Sequence, residues 1–157
     1  LHEHQPMIMH RDVKSLNLLL SSQYSTSTSP CIKLSDFGSC KQCAQCADSD
    51  ADWQTLTRNV GSWPWMAPEV PSGSYNHMAD VYSFGMVMFE VFAQEIPFEG
   101  VDFTSLPARA LGGERPDLAA IPPIVSDDMF ELLLCTWLED PATRPSFTTI
   151  LHVVSAC

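Results

Sequence analysis

The chain has 157 residues, 45% of them hydrophobic and 17% charged, which is enough for one folded domain and too apolar for wholesale disorder. Nineteen acidic residues against eight basic ones give a formal net charge of -11. That balance excludes a nucleic-acid backbone or an anionic membrane surface as the expected main partner, but not a nucleotide carried with a divalent cation. The opening "LHEHQPMIMH" has neither the basic start nor the apolar core of a signal peptide, and the first residue is not methionine, so the sequence is expected to begin inside a longer protein. The longest apolar run, around Val81 to Phe92, is interrupted by Ser83 and Glu90 and is too short to span a bilayer, so no membrane contact is evident. Six cysteines, at 31, 40, 43, 46, 135 and 157, follow no regular framework, and reduced thiols in a cytoplasmic setting are expected.

In chain order, "NLLL" and "CIKLS" are short apolar runs flanking the Ser/Thr-rich connector "SSQYSTSTSP", and they predict two paired strands. From Asp36 to Glu69 little is periodic, and a long surface loop is expected. "MADVYSFGMVMFEVFAQ" is apolar on nearly every side for about four turns, the pattern of a buried central helix over about residues 78–93. Gly85 costs such a helix up to about 1 kcal/mol against alanine, so close packing is expected there. A turn-rich stretch follows, with a short helix from Phe103 to Leu111. Ser126 is placed to cap a helix over about 127–139, with Asp127 and Asp128 in its first turn and Pro141 beyond its end. A last helix, about 146–155, is capped by Ser146 and carries Phe147, Ile150, Leu151 and Val154 along one side. The fold class is α+β, mainly helical with a small hairpin.

Chemistry is concentrated at the ends of the two strands. Asp12 precedes the first and Asp36 follows the second, so antiparallel pairing brings both carboxylates to one end of the hairpin, with Asn17 nearby. Two carboxylates and a carboxamide make a hard-oxygen site suited to magnesium. Lys14 adds a positive charge suited to a phosphoryl group in transfer. The reaction implied is phosphoryl transfer. Cys31, Cys40, Cys43 and Cys46 raise a different possibility, a zinc-stabilised interaction module without catalysis, although "CKQCAQC" lacks a clean pair of CxxC knuckles. His2 and His4 read as surface residues, and Trp137, Phe130, Leu133 and Phe98 as packing.

"HRDVKSLN", "DFG", "APE", "DVYSFG" and "RPSF" stand in the order in which they occur in eukaryotic protein kinases, and nearly the whole chain resembles the C-terminal lobe of that fold. The resemblance implies a partial kinase domain over 1–157, with a catalytic loop at 10–17 and an activation segment at 36–69. It implies that Asp12 accepts or orients the substrate hydroxyl proton, Lys14 touches the transferring phosphate of ATP, and Asn17 and Asp36 hold Mg2+. Leu19 corresponds to the residue under the adenine ring. His10 and Phe37 belong to a packed spine, Glu69 pairs with Arg144, and Asp80 holds the catalytic-loop backbone. "GSWPWMAPEV" and "CTWLEDPATRPSF" resemble the tyrosine-kinase-like group of serine/threonine kinases, in which Ser62 stands where threonine is common. A protein substrate is implied. Ser49, Thr55 and Thr57 are candidate phosphorylation sites, with Arg11 beside Asp12 as the expected responder. No glycine-rich loop or "VAIK"-like lysine occurs in these residues. The N-terminal lobe is therefore expected to be missing, and the chain by itself to be weakly active or inactive.

Overall fold

The computed structural model describes residues 1–21, 31–43, 60–102 and 104–156. Among them are four short strands and four α-helices, an α+β composition. Strands β2 (Leu18–Leu20) and β3 (Ile32–Leu34) pair antiparallel with Leu18 opposite Leu34 and Leu20 opposite Ile32, the hairpin anticipated from the two apolar runs. A second ladder was not anticipated. Strands β1 (Met7–Met9) and β4 (Lys41–Cys43) also pair antiparallel, Met7 opposite Cys43 and Met9 opposite Lys41. Strands of three residues carry no readable alternation, and these two are formed by tertiary pairing across more than thirty positions. The two ladders are nested, β1 with β4 and β2 with β3. The loop between β1 and β2 therefore faces the loop between β3 and β4.

Helix α1 (Met78–Ala93) is the central element. Asn76 Oδ1 accepts the Met78 amide at 2.9 Å near its start, and Gln94 ends it in the left-handed region, with φ 57°. Val81, Tyr82 and Met86 are fully buried, and the core around them takes in Leu106, Leu132, Leu133, Trp137 and Ile150. Helices α2 (Leu106–Leu111), α3 (Asp127–Thr136) and α4 (Phe147–Ala156) complete the set. Among the described residues no helix is long and apolar enough to cross a membrane.

Several details depart from the sequence expectations. Helix α2 begins at Leu106 instead of Phe103, with Pro107 in its first turn, where a missing N–H costs nothing. Helix α3 ends at Thr136, not 139. Two arginines replace the next turn: Arg115 Nε donates to the Trp137 carbonyl at 3.0 Å and Arg144 Nε to that of Leu138 at 2.8 Å. These bonds satisfy carbonyls at the helix end, and Trp137 turns into the core. Ser126 occupies the cap position in extended backbone, but its side chain makes no capping bond. Ser146 does cap, its Oγ accepting the Thr149 amide at 3.1 Å. On α4 the inward stripe is Phe147, Ile150 and Val153, whereas Leu151 is 66% and Val154 44% exposed. Leu151 lies about 100° around the helix from Ile150 and so falls off that stripe.

At Gly85 α1 packs tightly against the end of α3. A Cβ built there would lie 2.1 Å from Thr136 Oγ1 and 3.0 Å from Thr136 Cβ, and Thr136 is itself fully buried. Alanine gains about 1 kcal/mol of helix propensity, but overpacking a rigid contact costs about 1–3 kcal/mol. Because the clash is with a buried side chain that already donates to the Leu133 carbonyl at 2.6 Å, the overpacking term is expected to win. Gly85→Ala should lower the urea midpoint, and adding Thr136→Ala should recover part of the loss. A Gly85→Ala protein as stable as the parent would show that the helices are free to separate.

Candidate active site

The loop after β1 is fastened to α1 before it reaches any reactive group. Asp80, 2% exposed in the first turn of α1, accepts the Arg11 amide on Oδ1 at 2.8 Å. Its Oδ2 accepts the His10 amide at 2.8 Å and His2 Nε2 at 2.9 Å. Arg11 has φ 67°, a left-handed conformation costing about 1–2 kcal/mol in a non-glycine residue. One carboxylate taking two successive amides holds that turn. His2, expected on the surface, instead has a side chain only 12% exposed and lies edge-on to His77 and Phe147, each at 5.0 Å between ring centroids. Burial and then the neighbouring His2 push the His77 pKa below its ordinary value, with Asp80 opposing them.

Beyond that turn, three of the sequence-singled residues come together. Lys14 Nζ donates to Asp12 Oδ2 at 2.8 Å and to Ser62 Oγ at 2.8 Å. Asn17 Nδ2 donates to the Asp12 carbonyl at 2.7 Å and to Asp12 Oδ2 at 3.1 Å. Asp12 is 6% exposed, and its Oδ2 carries both donors. Oδ1 is thus the oxygen left to take a proton or hydroxyl. A cleft partly open to solvent is lined by Asp12, Val13, Ser62, Trp65, Ala67 and Tyr75 among others.

The facing loop carries Asp36. Ser35, one residue before it, donates its amide and its hydroxyl to the Asn17 carbonyl at 2.8 and 3.0 Å. Asp36 itself is exposed and left-handed, with φ 61°, and its carboxylate makes no hydrogen bond among the described residues. Both hydrogen bonds of the Asn17 side chain use Nδ2, which leaves its Oδ1 as an oxygen donor. An unbonded carboxylate and an amide oxygen on neighbouring segments are the right donor types for a hard divalent cation. His10 Nε2 donates to the Ser35 carbonyl at 3.0 Å, which fixes its tautomer, while Nδ1 is buried without a partner. Phe37 stands edge-on to His10 at 5.2 Å, and Arg11 Nε donates to the Ser39 carbonyl. Phe37 and Leu19 are both 52% exposed.

Glu69 and Arg144 lie apart from this cluster. Arg144, 3% exposed, meets the Glu69 carboxylate with two nitrogens, at 2.6 and 3.0 Å, and also donates to the Met78 carbonyl at 3.1 Å. Its guanidinium is 5.0 Å from the Tyr82 ring, which has Arg115 at 5.3 Å as well. Burial pushes the Tyr82 phenol up to about 12, against the two cations.

Of the cysteines proposed as zinc ligands, Cys31 is an exposed free thiol and Cys40 a half-buried one, raised above its ordinary pKa first by burial and then by Asp80. Cys43 is in β4, and Cys46 lies outside the described residues. Among the described residues no group of three or more His, Cys, Asp or Glu side chains is placed to hold a metal. Ser49, Thr55 and Thr57 also lie outside the described residues. Sequence reasoning missed His2 as a partner of Asp80 and the bond from Lys14 to Ser62. No spacing rule announces contacts between residues 78 and 48 positions apart.

The protein kinase domain model matches residues 1–154. Dual specificity protein kinase pyk3 of Dictyostelium discoideum is 38% identical over 152 residues, covering 96% of this chain and 10% of the relative. The RGS domain-containing serine/threonine-protein kinase A of the same organism is 32% identical over 149 residues, covering 94% and 12%. A probable serine/threonine-protein kinase, roco8, also from Dictyostelium discoideum, is 35% identical over 160 residues, covering 99% and 8%. The chain thus spans roughly a tenth of the length of these relatives. With a match over residues 1–154 and relatives above 30% identity across nearly all of it, the chain belongs to the protein kinase domain family.

Proposed function

We propose that these residues are the C-terminal lobe of a protein serine/threonine kinase, which transfers the γ-phosphoryl group of ATP to hydroxyls of a protein substrate. The observation that carries this reading is the Asp12 carboxylate, which lines an open cleft with Oδ2 held by Lys14 and Asn17 and Oδ1 without a hydrogen bond among the described residues. Asp12 orients the acceptor hydroxyl and receives its proton. Lys14, already bonded to Asp12 and Ser62, places positive charge where the transferring phosphoryl group passes. Asn17 and Asp36 supply oxygen ligands for magnesium, which when bound neutralises charge on the phosphates. Leu19 offers an apolar surface for the adenine ring. His10 and Phe37 act as packing, Asp80 and the Glu69–Arg144 pair as structural supports, and loops 10–17 and 36–69 as the catalytic loop and activation segment. Phosphorylation at Ser49, Thr55 or Thr57 would give Arg11 an anionic partner. The surfaces that cover the ATP phosphates come from outside these residues, so the 157-residue chain alone is weakly active or inactive.

The serine/threonine assignment rests on "HRDVKSLN" and on two relatives named serine/threonine-protein kinases, while the relative at 38% identity is named dual specificity. The full-length protein, incubated with labelled ATP, magnesium and peptides bearing Ser, Thr or Tyr, is expected to yield phosphoserine and phosphothreonine. Asp36→Asn should nearly abolish turnover and raise the magnesium concentration needed for what remains. Folded wild-type protein that incorporates no phosphate, or phosphotyrosine alone, would overturn the assignment.

A further inference from the structure

One carboxylate near the end of α1 connects the two walls of the site. Glu90 Oε1 accepts the Ser15 hydroxyl at 2.7 Å, and its Oε2 accepts the Trp65 indole N–H at 3.0 Å. Ser15 lies between Lys14 and Asn17 in the loop that carries Asp12. Trp65, 5% exposed, lines the cleft and stands three residues after Ser62. The loop and the 60–65 turn are therefore tied twice. Lys14 reaches Ser62 directly, and the next residue, Ser15, reaches Trp65 through Glu90.

The chemistry of each group favours a fixed geometry. An indole N–H only donates, and when buried it needs an acceptor. Hydrogen bonds to a carboxylate are shorter and stronger than neutral ones. Two donors from separate segments, each held on one oxygen of a single carboxylate, have their separation set by that carboxylate. Glu90 is itself mounted on α1, ten of whose sixteen residues are buried. A misplacement of about 1 Å in a bound reactant can cost about 100-fold in rate.

We propose that Glu90 is a positioning residue for phosphoryl transfer: through Ser15 and Trp65 it holds the cleft wall in register with Asp12, and so sets where the acceptor segment of the substrate lies. The proposal rests on the kinase reading. It concerns the substrate side of the reaction, because neither Ser15 nor Trp65 is among the residues assigned to ATP or magnesium.

Steady-state kinetics of the full-length protein, with peptide and ATP varied separately, test it. Glu90→Ala is expected to lower kcat/KM for the peptide by about 10- to 100-fold and to leave KM for ATP within about twofold. Glu90→Gln should recover most of the loss, since its carboxamide oxygen can accept from Trp65 and its NH2 can donate to the Ser15 oxygen. Ser15→Ala, which opens almost no cavity, should lose about three- to tenfold and supplies the comparison if Glu90→Ala does not fold. Solvent exchange of the Trp65 indole proton, followed by NMR in tryptophan-labelled protein, reads the link without reference to activity. It should be slow in wild type and Glu90→Gln and fast in Glu90→Ala. Absence of phosphate transfer by the wild type would sink the kinase reading and this proposal's functional role together, whereas the exchange data alone would still report whether the link exists. An active wild type whose Ser15→Ala and Glu90→Ala forms keep kcat/KM within about twofold would overturn the positioning role and leave the kinase reading intact. A Glu90→Gln protein as impaired as Glu90→Ala would overturn it too.

Discussion

Asp12→Asn is expected to lower kcat for phosphate incorporation by about 100- to 10,000-fold while KM for ATP changes little. The carboxamide is nearly isosteric, and its oxygen can still accept from Lys14 and Asn17, which now bond to Oδ2 at 2.8 and 3.1 Å. That orientation leaves an NH2 group in the place of Oδ1, which carries no hydrogen bond among the described residues. An NH2 group donates and cannot take a proton, so the acceptor hydroxyl loses its base while the loop keeps its bonds. Thermal unfolding of the two proteins should therefore be similar, which separates a chemical defect from a folding one. Retention of more than about a tenth of wild-type kcat would mean that proton transfer to Asp12 does not limit the reaction, and another group would have to be sought.

Arg144→Ala is expected to destabilise the protein by up to about 3–5 kcal/mol, the typical result of removing one partner from a buried ion pair, less what water returns to the Glu69 side chain, which is 16% exposed. Glu69 would lose both of its short bonds, and the carbonyls of Leu138 and Met78 would lose a donor. Those contacts join the turn after residue 67, the start of α1 and the chain leaving α3, so the loss is spread over three segments. A domain's total stability is about 5–15 kcal/mol, so the effect should be plain in a denaturant titration. Arg144→Lys keeps the charge but not the fork that meets Glu69 and two carbonyls together, and an intermediate loss is expected. In Arg144→Ala/Glu69→Ala the abandoned carboxylate is gone, so the double variant should lose less than the sum of the singles. A loss below about 1 kcal/mol for Arg144→Ala would show that solvent replaces the arginine without penalty.

Residues in contact within a few positions, or repeating at the period of one element, were readable in advance. The "NLLL" and "CIKLS" runs announce β2 and β3 because their apolar residues cluster between turn formers. The 78–94 run announces α1 because it is apolar on all sides, and Gly85 announces a close approach because glycine is otherwise a poor choice there. The β1–β4 ladder, the early end of α3 and the inward stripe of α4 were not readable. Each depends on a partner elsewhere: a strand more than thirty residues away, the arginines 115 and 144, and the core residues against which α4 packs.

The same division holds at the site. By itself the sequence determined the residue types proposed for the chemistry and their order, Asp12, Lys14, Asn17 and Asp36, because the short spacings within "HRDVKSLN" and "DFG" constrain local geometry and chemical type together. Only the tertiary structure decided which oxygen of Asp12 is left open, that His2 joins the anchor on Asp80, that Lys14 reaches Ser62, and that Glu90 spans Ser15 and Trp65. A hydrogen bond forms within about 3 Å and depends on direction, and chain folding, not sequence spacing, brings groups 25 to 78 residues apart to that distance.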